Sequence, residues 1–142
     1  VHANPESLVR QVVASRHTII ASDGFLGHPR NSGCYSRILG KYVRENRDLP
    51  LMVALKKCAL WPAQRLEKCA PAFKKKGRLQ VGADADIIIF DASKIIDKAT
   101  FKDAAQFSTG IQYTLVHGVP VVKNGKFQKN IFPGQAARGI IR

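Results

Sequence analysis

The alternation of apolar and polar positions predicts helices in the first half of the chain. Residues 6–14 carry apolar side chains at helical spacing, with Asn4 available as an N-cap. The same spacing predicts a second helix that ends near Asn46 and a third over residues 51–66. Pro62 lies inside the third helix and should kink or divide it, because proline cannot donate a helical hydrogen bond. We therefore expect three helices in this half.

A short apolar run separates the first two helices. Residues 18–21 are apolar without alternation, which is typical of a strand buried on both faces, and Asp23 and Gly24 follow directly. A stretch rich in Gly, Pro, Asn and Ser then predicts a loop from Gly24 to about Cys34, with His28-Pro29-Arg30 inside it. Loops of this kind carry function more often than packing.

The second half of the chain has the pattern of strands. Residues 86–91 predict a buried strand, and residues 113–116 and 119–122 predict two strands joined through His117-Gly118. Asn124-Gly125 is a second strong turn signal. The fold class indicated is therefore α/β in the first part of the chain, followed by a β part.

Charge adds a competing interpretation. The 142 residues are 45% hydrophobic, enough for a core, but the formal net charge of +13 would suit a polyanion partner. Basic residues cluster along residues 56–78, with no aromatic side chains interleaved in the triple lysine for base stacking. A solvated charged face is favoured, and a nucleic-acid- or polyanion-binding module stays as the alternative. The cluster consists of Lys56, Lys57, Arg65, Lys68, Lys74, Lys75, Lys76 and Arg78.

The cysteines and the chain ends set the expected context. Cys34, Cys58 and Cys69 are odd in number and fit no C-x-x-C pattern, which favours reduced thiols and a cytoplasmic location. We expect Cys58 and Cys69 to be small buried residues. No apolar run approaches the roughly 20 residues that a membrane helix needs. Because residue 1 is Val and a helical pattern follows almost at once, we expect an N-terminal part to precede this chain.

Asp23 is the leading candidate for chemistry. Parallel α/β barrels gather their catalytic groups at the carboxyl ends of strands, which is where Asp23 is predicted to lie. An Asp in that position is more often a turn former, so the position alone decides little. Two other features are better explained as turns. Residues 82–86 suggest a phosphate-binding loop but lack its spacing, and His117 suggests a catalytic histidine but lies in a predicted hairpin turn.

Several motifs occur in a fixed order along nearly the whole chain. Read together, they resemble the closing section of D-aminoacylase-type enzymes, the N-acyl-D-amino-acid deacylases among the metal-dependent amidohydrolases. The resemblance implies that residues 1–76 form the last strand and helices of a (β/α)₈ barrel and that residues 77–142 form strands of a small β-sandwich. The motifs are Ile20–Gly24, His28-Pro29-Arg30, Arg37–Glu45, Gly82–Asp86, Asp97–Phe101 and Val116-His117-Gly118.

The resemblance also implies roles for single residues. Asp23 would take a proton from a metal-bound water, pass it to the leaving amine and touch the metal directly. Arg30 would hold the substrate carboxylate, with a structural salt bridge as the alternative. His28 is left as a loop hydrogen-bonding residue, a group behind the site or a substrate contact. The loop between Asp23 and His28 is shorter than in many relatives, which leaves the specificity open.

The implied cofactor is zinc, and the implied activity is hydrolysis of the amide bond in N-acyl-D-amino acids. The zinc ligands would come mostly from earlier barrel strands outside this chain. The implied partners are the N-acyl-amino-acid substrate and the upstream barrel portion of the same protein, with the oligomeric state left open. We therefore expect the isolated chain to be inactive.

Overall fold

The computed structural model describes residues 4–139. Its first half is helical, and the predicted helices over residues 6–14 and 51–66 are confirmed. The elements are α1 (Glu6–Ala14), α2 (Arg30–Arg37) with a π-helical continuation (Ile38–Glu45), α3 (Leu51–Leu55), a π-helical segment (Lys56–Leu60), α4 (Trp61–Leu66) and a 3₁₀ turn (Pro71–Lys75).

The second helix begins earlier than expected. Helix α2 starts at Arg30, so the predicted loop to Cys34 is wrong for its last residues. Pro29 already has helical dihedral angles (φ −59, ψ −25), and a proline suits this place because the first N–H groups of a helix have no helical acceptor. Gly33 lets α2 pack closely, since a Cβ there would lie 2.6 Å from the Cβ of Asp97. These contacts are tertiary, so local propensity did not predict them.

Two smaller expectations concern helix ends and breaks. Pro5, not Asn4, occupies the N-cap of α1 and no side chain caps it, so the predicted Asn4 cap is wrong. Pro62 does not interrupt the helical run of residues 51–66: Leu60 and Trp61 keep helical dihedral angles, and the predicted kink or division is limited to a π-helical segment just before α4. The turn before it is wide: the Trp61 N–H donates to the carbonyl of Lys56, five residues earlier.

The segment 18–21 has no regular secondary structure and does not form the predicted strand. Ile19 is 47% exposed, so burial on both faces is also wrong. A strand takes its ladder of hydrogen bonds and much of its burial from neighbouring strands. Within residues 4–139 no strand lies beside this segment, and one backbone hydrogen bond from Ile20 N–H to the Lys57 carbonyl (3.1 Å) ties it to the third helix.

The second half forms one antiparallel sheet in the order β1-β2-β3-β4. Both predicted turns are confirmed. His117 (φ 49) and Gly118 (φ 76) join β2 to β3, and Asn124 (φ 52) and Gly125 (φ 72) join β3 to β4. Two successive positive φ values give the turn whose twist matches that of paired strands. The strands are β1 (Ile87–Phe90), β2 (Ile111–Val116), β3 (Val119–Lys123) and β4 (Lys126–Phe127).

Strand β1 is less buried than its composition suggested. Ile88 is 58% exposed and Ile89 is more than half exposed, so the prediction of a buried strand is wrong. Apolar side chains on a sheet are buried only where another layer covers them. No element within residues 4–139 covers these two positions.

The core lies mainly among the helices. It joins α1 to the second and third helices and reaches the second half through Ile95. Ile20, three residues before Asp23, is partly buried against this core. Within residues 4–139, no helix is both long and apolar enough to cross a membrane. The core residues are Val13, Ile38, Leu39, Tyr42, Leu49, Ala54 and Ile95.

Candidate active site

Asp23 lies just after the segment 18–21, with its carboxylate in solvent. Its backbone is left-handed (φ 43), a conformation that Asp tolerates better than most residues, and its side chain is 86% exposed. Gly24 follows where a Cβ would lie 2.5 Å from the Oδ1 of Asn31 in α2. The chain therefore turns sharply here and approaches α2 too closely for a larger residue.

Arg30, the first residue of α2, meets Asp23 across this turn. Its Nη2 lies 2.9 Å from Asp23 Oδ2, and its Cζ lies 5.0 Å from the centroid of the Phe25 ring. Its Nε is the one buried side-chain nitrogen or oxygen in the described chain without a hydrogen-bond partner. The structure thus brings together two of the three predicted site residues and leaves the guanidinium with an unused donor.

His28 has a clear local role. Its Nδ1 accepts the backbone N–H of Arg30 (3.1 Å), so the neutral ring carries its proton on Nε2. The ring centroid lies 5.4 Å from that of Phe25 and 5.0 Å from that of Phe101. Of the roles that the sequence left open, this geometry is that of a loop hydrogen-bonding residue that fixes the start of α2. Contact between His28 and a substrate stays a prediction.

An open depression of about 320 Å³ lies beside the turn. Ser32 Oγ donates to the Ala104 carbonyl (2.9 Å) and ties α2 to the loop on the other side. Phe25 and Phe101 were not among the predicted site residues. Phe101 could have been identified from the sequence, because it belongs to the motif Asp97–Phe101. The depression is lined by Leu26, Gly27, His28, Asn31, Ser32, Lys102, Asp103, Ala104 and Ala105.

The described residues do not form a metal site by themselves. Residues 4–139 contain no group of three or more His, Cys, Asp or Glu side chains that could hold an ion. Asp23 offers one exposed carboxylate, which is a suitable single ligand for zinc, but a structural or catalytic zinc site uses three or four protein ligands. The chain can therefore contribute to a metal site but cannot complete one from its described part.

All three cysteines are free thiols. Cys34 and Cys58 are half-buried, and burial raises the pKa of both, to about 12 for Cys58, so their thiolate forms are disfavoured. The expectation that Cys69 is buried is wrong, because it lies exposed just beyond α4. No thiol shows the microenvironment of a nucleophile.

The basic cluster is partly neutralised. Lys76 pairs with Asp84 (3.0 Å) and Asp86 (2.6 Å), and Arg78 pairs with Glu67. Lys74 and Lys75 are exposed, as a solvated face requires. Lys57 contradicts that prediction because its side chain is fully buried. Less positive charge is therefore free for a polyanion than the sequence suggested.

Residues 82–86 and His117-Gly118 form turns, not a phosphate-binding loop or a site for a catalytic histidine. Gly82 (φ 81) lies in a bend that leads to β1, and the Ala83 N–H donates to the Gln80 carbonyl (3.1 Å). The His117 backbone N–H donates to Asp86 Oδ1 (2.9 Å), which anchors the β2–β3 turn to the segment before β1. Both predictions of a structural role are confirmed.

The sequence matches the profile of the amidohydrolase family over residues 13–122. It is 37% identical over 123 residues to an N-acyl-D-glutamate deacylase of Alcaligenes xylosoxydans xylosoxydans, covering 84% of this chain and 24% of that protein. It is 32% identical over 137 residues to a D-aminoacylase of the same organism, covering 94% and 26%.

A solved structure agrees. The crystal structure of N-acyl-D-glutamate deacylase from Bordetella bronchiseptica, complexed with zinc and a phosphonate inhibitor, superimposes with a TM-score of 0.83 at 32% identity. The match covers 95% of this chain and 28% of that one. The chain thus spans about a quarter of the length of the relatives it matches. The family match over most of the chain and these relatives together show that it belongs to the amidohydrolase family, and it is similar there to the deacylases of N-acyl-D-amino acids.

Proposed function

We propose that this chain is the part of a zinc-dependent N-acyl-D-amino-acid deacylase that carries the proton-transferring carboxylate, Asp23. The observation that carries the proposal is the exposed Asp23 carboxylate paired with Arg30 at 2.9 Å across the turn that precedes α2. The similarity to an N-acyl-D-glutamate deacylase and to a D-aminoacylase supports it. The similar deacylase from Bordetella bronchiseptica was solved with zinc and a mimic of the tetrahedral intermediate.

The architecture that we propose divides the chain in two. Residues 1–76 would supply the last strand and helices of a (β/α)₈ barrel, and residues 77–142 would supply strands of a β-sandwich. The segment 18–21 supports this division, since it is an apolar run that has no neighbouring strand among the described residues, and a barrel strand takes its hydrogen-bond partners from the rest of the barrel. The exposed Ile88 and Ile89 support it as well, since an upstream portion of the same protein would cover them.

Asp23 is suited to hold and move a proton. A carboxylate at the mouth of a barrel can accept a proton from attacking water and return it to the leaving nitrogen, a role that contributes about 10²–10⁴-fold to rate. Zinc, when bound, would supply polarisation of the amide carbonyl and acidification of water. Asp23 would be one oxygen ligand or near neighbour of that ion, with the other ligands outside this chain.

Arg30 is suited to bind the carboxylate of the substrate. The Phe25 ring and the turn orient its guanidinium, and a planar fork of donors matches a carboxylate. Its pair with Asp23 is largely solvent-exposed and contributes at most about 1 kcal/mol, so exchanging Asp23 for a substrate carboxylate costs little. Its buried Nε has no hydrogen-bond partner among the described residues.

The proposal is tested with Asp23→Asn in the longer polypeptide that carries this chain. The amide keeps the size of the side chain but cannot carry the proton, so kcat for an N-acyl-D-amino acid should fall about 10²–10⁴-fold with KM nearly unchanged. Glu45→Gln removes an exposed carboxylate at the far end of the second helix and serves as the control, with unchanged kcat expected. An Asp23→Asn enzyme with the kcat of the wild type contradicts the proposal.

A further inference from the structure

Lys57 is the largest fully buried side chain in the described part of the molecule. Lysines are almost never fully buried unless their charge is satisfied. The Nζ of Lys57 donates to the Ser15 carbonyl (2.6 Å), the Thr18 carbonyl (2.7 Å) and Thr18 Oγ1 (2.8 Å). Three ammonium hydrogens thus meet three acceptors, all of them neutral oxygens. Burial lowers the pKa of Lys57, and these hydrogen bonds offset part of the cost of burying the charge.

The acceptors lie on both sides of a chain reversal. Ser15 is the residue after α1, where helix carbonyls lack helical partners and a positive charge is favourable. Thr18 begins the segment 18–21, and its hydroxyl donates to the Val12 carbonyl in α1 (2.6 Å). The buried ammonium therefore joins the end of α1 to the start of the segment that leads to Asp23.

The backbone of Lys57 makes a second contact with the same segment. In an α-helix its carbonyl would accept the Trp61 N–H, but that N–H donates to Lys56 instead. The next residue, Pro62, has no N–H to offer. The Lys57 carbonyl is thus released from the helix and accepts the Ile20 N–H (3.1 Å).

We propose that Lys57 is a positioning residue that fixes residues 18–20 at two points and thereby sets where Asp23 projects, three residues further on. This inference rests on the proposed function of Asp23. It assigns a role to the wide helical turn and to Pro62, which free the carbonyl that holds Ile20. It also explains why a lysine is buried at a place where methionine would fill the same space without the cost of a buried charge.

The test uses three variants of the longer enzyme. Lys57→Met keeps the length of the side chain and removes all three donors. Thr18→Val removes the hydroxyl acceptor and keeps the branched shape. Lys56→Met changes the exposed neighbouring lysine and is the matched control. Each variant is examined by steady-state kinetics and by hydrogen exchange of the amides of residues 18–23.

Lys57→Met should lower kcat about 10–100-fold with little change in KM, because a displaced catalytic group slows the reaction without weakening substrate binding. Exchange at Ile20 should be faster by about tenfold or more, with the second helix unaffected. Thr18→Val should show the same pattern at smaller size, and Lys56→Met should match the wild type.

A folded Lys57→Met enzyme with wild-type kcat and wild-type exchange at residues 18–23 would overturn the inference. If Lys57→Met does not fold, Thr18→Val decides, and wild-type kcat and exchange in that variant would overturn it equally. If the wild-type enzyme has no deacylase activity, the proposed function fails. Faster exchange in Lys57→Met would then still support the hold of Lys57 on the segment, and unchanged exchange would overturn it.

Discussion

Residues 18–23, which we call the Asp23 arm, and the two hairpins of the sheet both contain non-glycine residues with positive φ, but for different reasons. In the hairpins, His117 and Asn124 adopt this conformation in two-residue turns between strands that pair with each other. Asp23 adopts it after residues 18–21, beside which no strand lies within residues 4–139. Lys57 contacts these residues instead, at Thr18, from 39 residues away in sequence. The hairpins are determined locally, whereas the conformation of the Asp23 arm depends on distant contacts.

The largest expected difference between the two regions concerns the loss of apolar side chains. Ile38, 5% exposed, lies in the helical core that supports the arm, so Ile38→Ala should lower the free energy of unfolding by about 2–5 kcal/mol. Ile88 is 58% exposed in the sheet, so Ile88→Ala should cost less than about 1 kcal/mol in the 142-residue chain. Urea denaturation measures both.

The substitutions Ile38→Ala and Ile88→Ala also test the proposed architecture. If a further layer covers the sheet in the longer enzyme, Ile88→Ala should cost more there than in the 142-residue chain, while the cost of Ile38→Ala stays similar. Equal costs for Ile88→Ala in the two contexts would contradict a covered sheet.

A smaller effect separates the arm from ordinary surface ion pairs. Arg30→Met in the longer enzyme should raise KM about 10–100-fold with a smaller effect on kcat, because it removes a charge-assisted contact to the substrate carboxylate. Arg10 makes a similar arginine–aspartate pair with Asp48 (2.6 Å), so Arg10→Met is the matched control and should leave KM unchanged. An unchanged KM in Arg30→Met would leave Arg30 with the structural salt bridge alone.

The smallest predicted effect concerns pH and the sheet. Burial alone would raise the pKa of Asp86, but hydrogen bonds from Lys76 and the His117 backbone outweigh it and hold the pKa below its ordinary value of 3.8. A lowered carboxyl pKa contributes stability that is present above 3.8 and is lost as the pH falls through the folded value. The melting temperature should therefore fall below about pH 4, and Asp86→Asn should flatten that fall. An equally steep fall in Asp86→Asn would contradict this role.

The elements that could be predicted from sequence are those with local determinants. The turns at His117-Gly118 and Asn124-Gly125 follow from the residues that tolerate positive φ, and α1 follows from its apolar spacing. The predicted strand at residues 18–21 is absent because no other strand within residues 4–139 lies beside it to share hydrogen bonds. The start of α2 at Arg30 was missed because its support, such as Gly33 against Asp97, is tertiary.

The residues of the candidate site also differ in whether the sequence predicts their place in the structure. Asp23 and Arg30 were predicted from motifs, and the structure places them in contact. Lys57 was read as one of a run of surface lysines, although it follows the buried Ala54 by three residues on the same helix face. Its burial depends on acceptors at Ser15 and Thr18, which no local pattern could bring to it.

We propose that this chain carries the catalytic carboxylate of a zinc-dependent deacylase, while residues 4–139 hold no complete metal site. The most direct test measures zinc content and hydrolysis of N-acyl-D-amino acids for the 142-residue chain and for the longer polypeptide side by side. We expect bound zinc and turnover in the longer polypeptide and neither in the isolated chain. Zinc binding and turnover by the isolated chain at the rate of the longer polypeptide, or turnover by the longer polypeptide after its metal is removed, would contradict it.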